Sequence, residues 1–140
     1  MPRPGHEPPV PLPGYEMEAL LGHGSMGCVR RARCAWADGA VVAVKWVPMA
    51  RDPSVAAGVR QEAELLNSLQ HPHILRILDV IDNDAGLAVV TEYAEGGSLA
   101  EVMAGEGRLP WARMATLAIG VADALDAAHR HGVLTKVRPQ

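Results

Sequence analysis

Three glycines near the start of the chain have a spacing that suits phosphate binding. Gly22, Gly24 and Gly27 form the pattern G-x-G-x-x-G, in which backbone N–H groups approach an anion without obstruction by a Cβ. In a dinucleotide-binding fold the third glycine opens a helix, whereas Cys28 and Val29 continue a strand pattern here. The spacing therefore predicts a glycine-rich hairpin over phosphates and disfavours a dinucleotide oxidoreductase. A glycine-rich hairpin without a ligand is the alternative.

A lysine and a glutamate are predicted to meet in the interior. Strand alternation places Lys45 on the same face as Ala43 and Val47. Glu62 falls within the apolar stripe of a predicted helix, which comprises Val55, Val59, Leu66 and Leu69. Because buried charges need partners, we expect the two charged groups to lie within about 4 Å of each other. The alternatives are a lysine that reaches water and a glutamate at the margin of the stripe.

Strands and helices alternate in an order that positions these residues. Alternating and β-branched runs predict strands over residues 15–21, 28–34, 40–47, 75–81 and 87–92, with a hairpin turn at Ala37-Asp38-Gly39. Helical periodicity follows an Asp52 cap and Pro53, and predicts two later helices over residues 98–103 and 110–131. Ser98 and Glu101 form a predicted capping box. The chain is therefore expected to be α+β.

Composition narrows the class of protein. The 140 residues carry a net charge of −3, with 49% hydrophobic and 21% charged residues, which excludes wholesale disorder and gives no reason to expect nucleic acid or an anionic membrane as a partner. The longest uncharged apolar stretch, residues 114–122, is too short to span a membrane. Cys28 and Cys34 would lie about 20 Å apart on one strand, too far for a disulfide. We expect a cytoplasmic protein, and its 11 Arg against 2 Lys are typical of high-GC bacterial genes.

As an ordered set, these motifs resemble the eukaryotic-like serine/threonine protein kinases of bacteria. The resemblance begins with the glycine loop followed by Val29, the Val-Ala-Val-Lys run ending at Lys45, and Glu62. It continues through His71-Pro72-His73-Ile74-Leu75, the hinge-like residues 89–99 and the helix over residues 124–133. It covers residues 15–140.

The resemblance implies the fold and its divisions. It predicts a kinase-like small lobe, a five-stranded antiparallel sheet plus one helix, over residues 15–92. A hinge over residues 93–97 and the first helices of a large lobe over residues 98–140 would follow. Residues 1–14, which carry six prolines, are expected to be a Pro-rich disordered tail.

The resemblance also implies a site that binds ATP. The catalytic pair would be Lys45 and Glu62, with Lys45 contacting the α- and β-phosphates. Thr91 would guard the back of the pocket, and the hinge backbone at Glu92 and Ala94 would meet the adenine. The full set of expected nucleotide contacts is Leu21, Gly22, Gly24, Ser25, Gly27, Val29, Ala43, Lys45, Thr91, Glu92 and Ala94.

The family pattern fails after Leu134. The family continues with His-Arg-Asp, whereas this chain continues with Thr135-Lys136-Val137, and no Asp or Glu follows Asp126. The catalytic Asp and the magnesium ligands of intact relatives are missing, so we expect a kinase domain truncated before its catalytic loop and inactive alone. A pseudokinase-like module that binds nucleotide or a partner is the alternative.

Two further expectations concern metals and partners. His71 with His73, and His129 with His131, lack a third ligand at zinc spacing, so no metal site is expected. The expected partners are ATP and a protein substrate or partner kinase domain. The apolar stripe of the last helix would have little to cover it, which predicts self-association through Met114, Leu117, Ala118, Val121, Leu125 and Ala128.

Overall fold

The computed structural model describes residues 12–24, 27–48 and 53–133. Five strands form one antiparallel sheet in the order β1-β2-β3-β5-β4. The strands are β1 (Tyr15–Gly24), β2 (Gly27–Cys34), β3 (Ala40–Pro48), β4 (Ile77–Asn83) and β5 (Gly86–Glu92), and the α-helices are α1 (Pro53–Asn67), α2 (Leu99–Glu106) and α3 (Trp111–Arg130). This confirms the predicted α+β architecture, a kinase-like small lobe followed by helices.

The turn between β2 and β3 forms where the sequence predicts it. A short 3-10 turn over Ala35–Ala37 leads into Asp38 and Gly39, which have φ angles of 52° and 72°. Asn, Asp and Gly tolerate positive φ best, so the Asp-Gly pair is what allows the chain to reverse here. Gly39 N–H donates to the Cys34 carbonyl at 3.0 Å and closes the turn.

One face of the sheet carries the larger core. Trp46, Val44 and Val42 of β3 are buried there, together with Cys28 and Cys34, which form no disulfide. Leu12, only 2% exposed, packs into the same cluster. The expected boundary of the Pro-rich tail at residue 14 is therefore too late, because burial of an apolar side chain holds the chain in the fold from Leu12 onward.

Helix α1 packs on the opposite face of the sheet. Its buried residues are Ala56, Val59 and Ala63, which contact a cluster formed by Val47, Ile77, Leu87 and Val89. The buried face is centred about 70° around the helix axis from the predicted stripe, at 100° per residue. Val55, Val59 and Leu66 of that stripe still pack on this side, whereas Glu62 does not. The small alanine side chains, rather than Glu62 and Leu69, set the face that meets the sheet, because they allow close approach. Arg60 adds an ion pair to Asp82 of β4.

The two later helices begin at recognisable caps. Ser98 accepts a hydrogen bond from the Glu101 N–H, and the Glu101 carboxylate accepts one from the Ser98 N–H, which confirms the capping box. Pro110 caps α3, whose C-terminal end packs through Ala128 against Leu69 and Val133. Helix α2 extends three residues beyond the predicted end because the capping box supports a full helix to Glu106.

A histidine pair ties α3 to the segment that follows α1. The His73 N–H donates to His71 Nδ1 at 3.1 Å, so the other ring nitrogen of His71 is the one that carries hydrogen and donates to Asp123 at 3.1 Å. The His73 ring lies against Gly120, where a Cβ would sit 3.3 Å from Nδ1. A glycine in the middle of α3 therefore lets the helix approach the segment that follows α1 closely.

Among the described residues, no helix is long and apolar enough to cross a membrane.

The sheet curls strongly enough for its two edge strands to meet. Tyr15 of β1 donates its hydroxyl proton to the Asp79 carboxylate of β4 at 3.1 Å, although β1 and β4 stand at opposite edges of the sheet. Burial, followed by the hydrogen bond and the negative charge of Asp79, raises the pKa of Tyr15 well above its usual value. The bond closes the sheet around the core that contains Trp46.

Replacing Tyr15 tests this closure. The Tyr15→Phe variant keeps the ring but removes the donor, and should lower the free energy of unfolding by about 1 kcal/mol. Because the folded state raises the Tyr15 pKa, the neutral hydroxyl stabilises the wild type fully below about pH 10, and this contribution is lost as the pH rises further. In urea unfolding between pH 7 and pH 11, the free energy of unfolding should therefore fall less steeply with rising pH for Tyr15→Phe than for the wild type. A Tyr93→Phe control should retain the wild-type slope, and equal slopes in all three proteins would contradict the prediction.

Candidate functional site

Strand pairing brings the predicted nucleotide residues onto one face of the sheet. Lys45 lies opposite Val29 of β2 and Val89 of β5, and Ala43 lies opposite Arg31 and Thr91. Directly paired residues of antiparallel strands share a face. Val29, Ala43, Lys45 and Thr91 are all half-buried, unlike the fully buried residues on the Trp46 side. They form the part of this face that α1 leaves uncovered, which we call the open face.

The glycine hairpin, formed by Gly22, Gly24 and Gly27, adjoins Val29 at one end of the open face. Gly24 pairs with Gly27, and Gly22 pairs with Val29, while Ser25 lies outside the described residues. A Cβ on Gly22 would have nothing within 4 Å, whereas one on Gly27 would lie 1.9 Å from the Trp46 carbonyl oxygen. Gly27 also has a φ of 154°. The third glycine is therefore required by the fold, while the first leaves open space for a ligand.

The expected ion pair between Lys45 and Glu62 is absent from the described structure, and this expectation was wrong. Lys45 makes no ion pair with any described residue, and Glu62 is exposed on α1. Glu62 sits beside the buried face formed by Ala56, Val59 and Ala63 rather than within it. The half-buried Lys45 thus presents its positive charge to the open face.

The segment after β5 is tied to the start of β4 by Glu92. The Glu92 N–H donates to the Arg76 carbonyl at 3.0 Å, and the Arg76 N–H donates to the Glu92 carboxylate at 2.8 Å. The Thr91 hydroxyl donates to the Glu92 carbonyl at 3.1 Å. That carbonyl can accept a second hydrogen bond because it has two lone pairs. Ala94 is exposed, and its carbonyl accepts the Gly97 N–H at 3.2 Å.

Irregular pairing in β1 positions residues that the sequence patterns did not reveal. The register shifts between Met17 and Leu20, and again between Leu20 and Gly22, so the strand holds two bulges. Leu21 lies in the second bulge and is 42% exposed. Glu18 lies in the first and binds Arg31 and Arg33. The sequence pattern of β2 does not show that Arg31 and Arg33 share an acidic partner, because Glu18 lies on a different strand.

The open face has the chemistry of a polyanion site next to an apolar surface. Val29, Ala43 and the exposed Leu21 offer apolar contact, Lys45 offers a cation, and the glycine hairpin offers backbone N–H groups. No group of His, Cys, Asp or Glu among the described residues could hold a metal ion. Residues 134–140, where the catalytic-loop pattern fails, lie outside the described residues, as does Asp52.

Comparison with known proteins identifies the family. A family model described as the protein kinase domain matches residues 15–136. The chain belongs to the protein kinase domain family. It is 32% identical over 128 residues to serine/threonine-protein kinase 36 of Pongo abelii, covering 90% of this chain and 10% of that protein. It is 37% identical over 121 residues to mitogen-activated protein kinase kinase kinase 10 of Mus musculus, covering 86% of this chain and 13% of that one.

Bacterial kinases are similar to the same extent. A probable serine/threonine-protein kinase of Streptomyces coelicolor is 37% identical over 126 residues, which cover 86% of this chain and 19% of that protein. The kinase chain thus spans less than one fifth of the length of each of these relatives. Because eukaryotic and bacterial proteins match alike, the family is established as that of protein kinases in general.

The two glycines that flank the hairpin should respond differently to substitution. Gly27→Ala places a Cβ against the Trp46 carbonyl at an unfavourable φ, and should destabilise the fold by roughly 2–3 kcal/mol. Gly22→Ala meets open space and should change stability by less than about 0.5 kcal/mol. Urea unfolding followed by tryptophan fluorescence measures both, and a Gly27→Ala variant as stable as wild type would contradict the proposed role of Gly27.

Proposed function

We propose that these 140 residues form the nucleotide-binding part of a serine/threonine protein kinase. The observation that supports the proposal is the open face, on which Val29, Ala43, Lys45 and Thr91 lie together next to the paired glycines of β1 and β2. ATP combines an apolar base with a polyanionic tail, and the open face offers an apolar surface beside a cation. Membership of the kinase family supports ATP as the ligand.

Each residue of the site has a proposed role. Val29, Ala43 and Leu21 pack on the adenine, with Thr91 at the back of the pocket. Lys45 contacts the α- and β-phosphates, and the hairpin glycines cover them. The Glu92 carbonyl and the Ala94 N–H meet the edge of the base. Glu62 reaches Lys45 only if α1 turns about its axis, since the two groups are not paired as α1 now lies.

Phosphoryl transfer needs groups that these residues do not supply. In kinases a carboxylate orients the substrate hydroxyl, and metal ions bridge the phosphates. No acid follows Asp126 in the chain, and the described residues form no metal cluster. We propose that this polypeptide by itself binds ATP without transferring its γ-phosphoryl group, whereas an intact relative would transfer it to Ser or Thr of a protein substrate.

Titration with ATP tests the nucleotide site. We expect weak binding, on the order of 1 mM, because only the sheet side of a pocket is present among these residues. Adding magnesium should change the affinity by less than about twofold, since the described residues include no group of side chains that could hold a metal ion. Lys45→Ala should weaken binding about tenfold through loss of the charge-assisted phosphate contact, and ligand-observed NMR suits this range of affinity.

A matched control separates a specific site from net charge. Arg108→Ala also removes one positive charge, at an exposed position between α2 and α3, and should bind ATP as wild type does. Equal losses in the two variants, or no binding by the wild type, would overturn the proposal. Radiolabelled ATP transfer to a generic Ser/Thr substrate should not rise above the Lys45→Ala background. Transfer above that level would show that other residues provide the missing chemistry.

Origin and location extend the proposal. The excess of arginine over lysine supports a bacterial source. Cys28 and Cys34 form no disulfide, which suits a reducing cytoplasm. Neither property affects the proposed nucleotide site.

A second function is favoured by the surface of α3. Its apolar stripe remains exposed, with Val121 at 59% and Met114 and Leu117 each at 40%. Contiguous apolar surface of more than a few hundred Å² marks an interaction site or an aggregation hazard. The alternative is therefore a pseudokinase-like module that acts by binding a partner through α3, including a second copy of itself.

Sedimentation equilibrium tests self-association. We expect the purified chain to associate at micromolar to millimolar concentration, and Val121→Glu, which places a charge in the apolar stripe, to shift it toward monomer. Ala112→Glu adds the same charge about 180° around α3 from Val121 and should leave association unchanged. A wild-type chain that stays monomeric throughout this range would contradict the prediction.

A further inference from the structure

Three arginines of β2 converge on one residue in β1. The Glu18 carboxylate binds Arg31 and Arg33, the latter at 2.6 Å, while the Glu18 carbonyl accepts a hydrogen bond from Arg30 at 2.9 Å. Glu18 can serve all three because it lies in a bulge, where the shift of register between Met17 and Leu20 frees it from regular pairing. Bulges re-aim side chains in this way, often beside functional sites.

Arg31 links this cluster to the hinge. Its guanidinium carbon lies 5.6 Å from the centroid of the Tyr93 ring, within the range of a cation–π contact. Both side chains are half-buried, which reduces competition from water. Arg31 also stands opposite Ala43, which pairs with Thr91, so it belongs to the open face. A continuous chain of contacts therefore runs from Glu18 through Arg31 to Tyr93.

The hinge has few other restraints. Within the described structure, residues 93–97 contain a single backbone hydrogen bond, from the Gly97 N–H to the Ala94 carbonyl. Tyr93 lies between Glu92 and Ala94, whose backbone groups are proposed to meet the adenine. Fixing the Tyr93 ring therefore fixes the backbone on both sides of it.

We propose that Arg31 is a positioning residue of the nucleotide site, held by Glu18 and in turn holding Tyr93, so that the hinge backbone is set for the base. This inference rests on the proposed ATP site and extends it to residues outside the glycine loop. Arg31 acts on the base through the hinge and has no part in binding the phosphates. Its loss should therefore affect ligands that contain adenine and spare ligands that contain only phosphate.

The experiment compares Arg31→Ala with Arg33→Ala. Both remove a guanidinium that binds Glu18, but only Arg31 contacts Tyr93. By ligand-observed NMR, Arg31→Ala should weaken ATP binding about two- to fivefold and leave the binding of inorganic tripolyphosphate unchanged. Arg33→Ala should alter neither. Arg31→Lys keeps a cation near the ring and should restore part of the ATP affinity.

Amide hydrogen exchange of the unliganded chain gives a second readout. Arg31→Ala and Tyr93→Leu should each accelerate exchange of residues 93–97, and the double variant should exchange no faster than either single variant. Unchanged hinge exchange in Arg31→Ala, or equal weakening of ATP and tripolyphosphate, would overturn the inference while leaving the nucleotide site intact. No ATP binding by the wild type would overturn the proposed function together with this inference.

Discussion

The register of β3 between β2 and β5 is the constraint on which the site depends. Val42, Val44 and Trp46 are buried on one side of β3, which forces Ala43 and Lys45 to the other. A slip of one residue would exchange the two sets, burying the lysine and exposing the tryptophan. The energy that holds Lys45 on the open face therefore comes from apolar burial on the opposite face, and binding residues contribute little to it.

The curl of the sheet and the bulges of β1 determine where the residues of this edge strand lie. Tyr15 reaches Asp79 across the closed end of the sheet, so β1 is held at its start by the core and by a hydrogen bond. Further along, its two bulges release Glu18 and Leu21 from regular pairing. The start of β1 is thus held by packing and by the Tyr15–Asp79 hydrogen bond. Its bulged part instead directs Glu18 toward Arg31 and Leu21 toward solvent beside the glycine hairpin.

Local patterns in the sequence sufficed for the strands, the Asp38-Gly39 turn, the Ser98–Glu101 capping box and the faces of β3, because each of these depends on neighbours in the chain. They did not suffice for α1, because the predicted stripe omits Ala56 and Ala63, which are buried together with Val59. Local patterns also could not reveal the contact from Arg31 to Tyr93, because the two residues lie on different elements. The bulge in β1 that frees Glu18 to bind Arg31 likewise produces no periodic pattern in the sequence. The boundary of the tail failed for the same reason, because Leu12 is held by distant core residues.

The separation of Lys45 from Glu62 follows from the cost of burying charge. Turning Glu62 toward the sheet would bring a carboxylate into an interior lined by Val59, Val47 and Leu87, and that cost is repaid only by a well-formed pair. Burying Ala56 and Ala63 carries no such cost. With α1 seated on its alanines, Lys45 keeps its charge at a half-buried surface that has no described anion within ion-pair distance. A phosphate placed beneath the glycine hairpin would supply that anion without requiring the protein to bury one of its own.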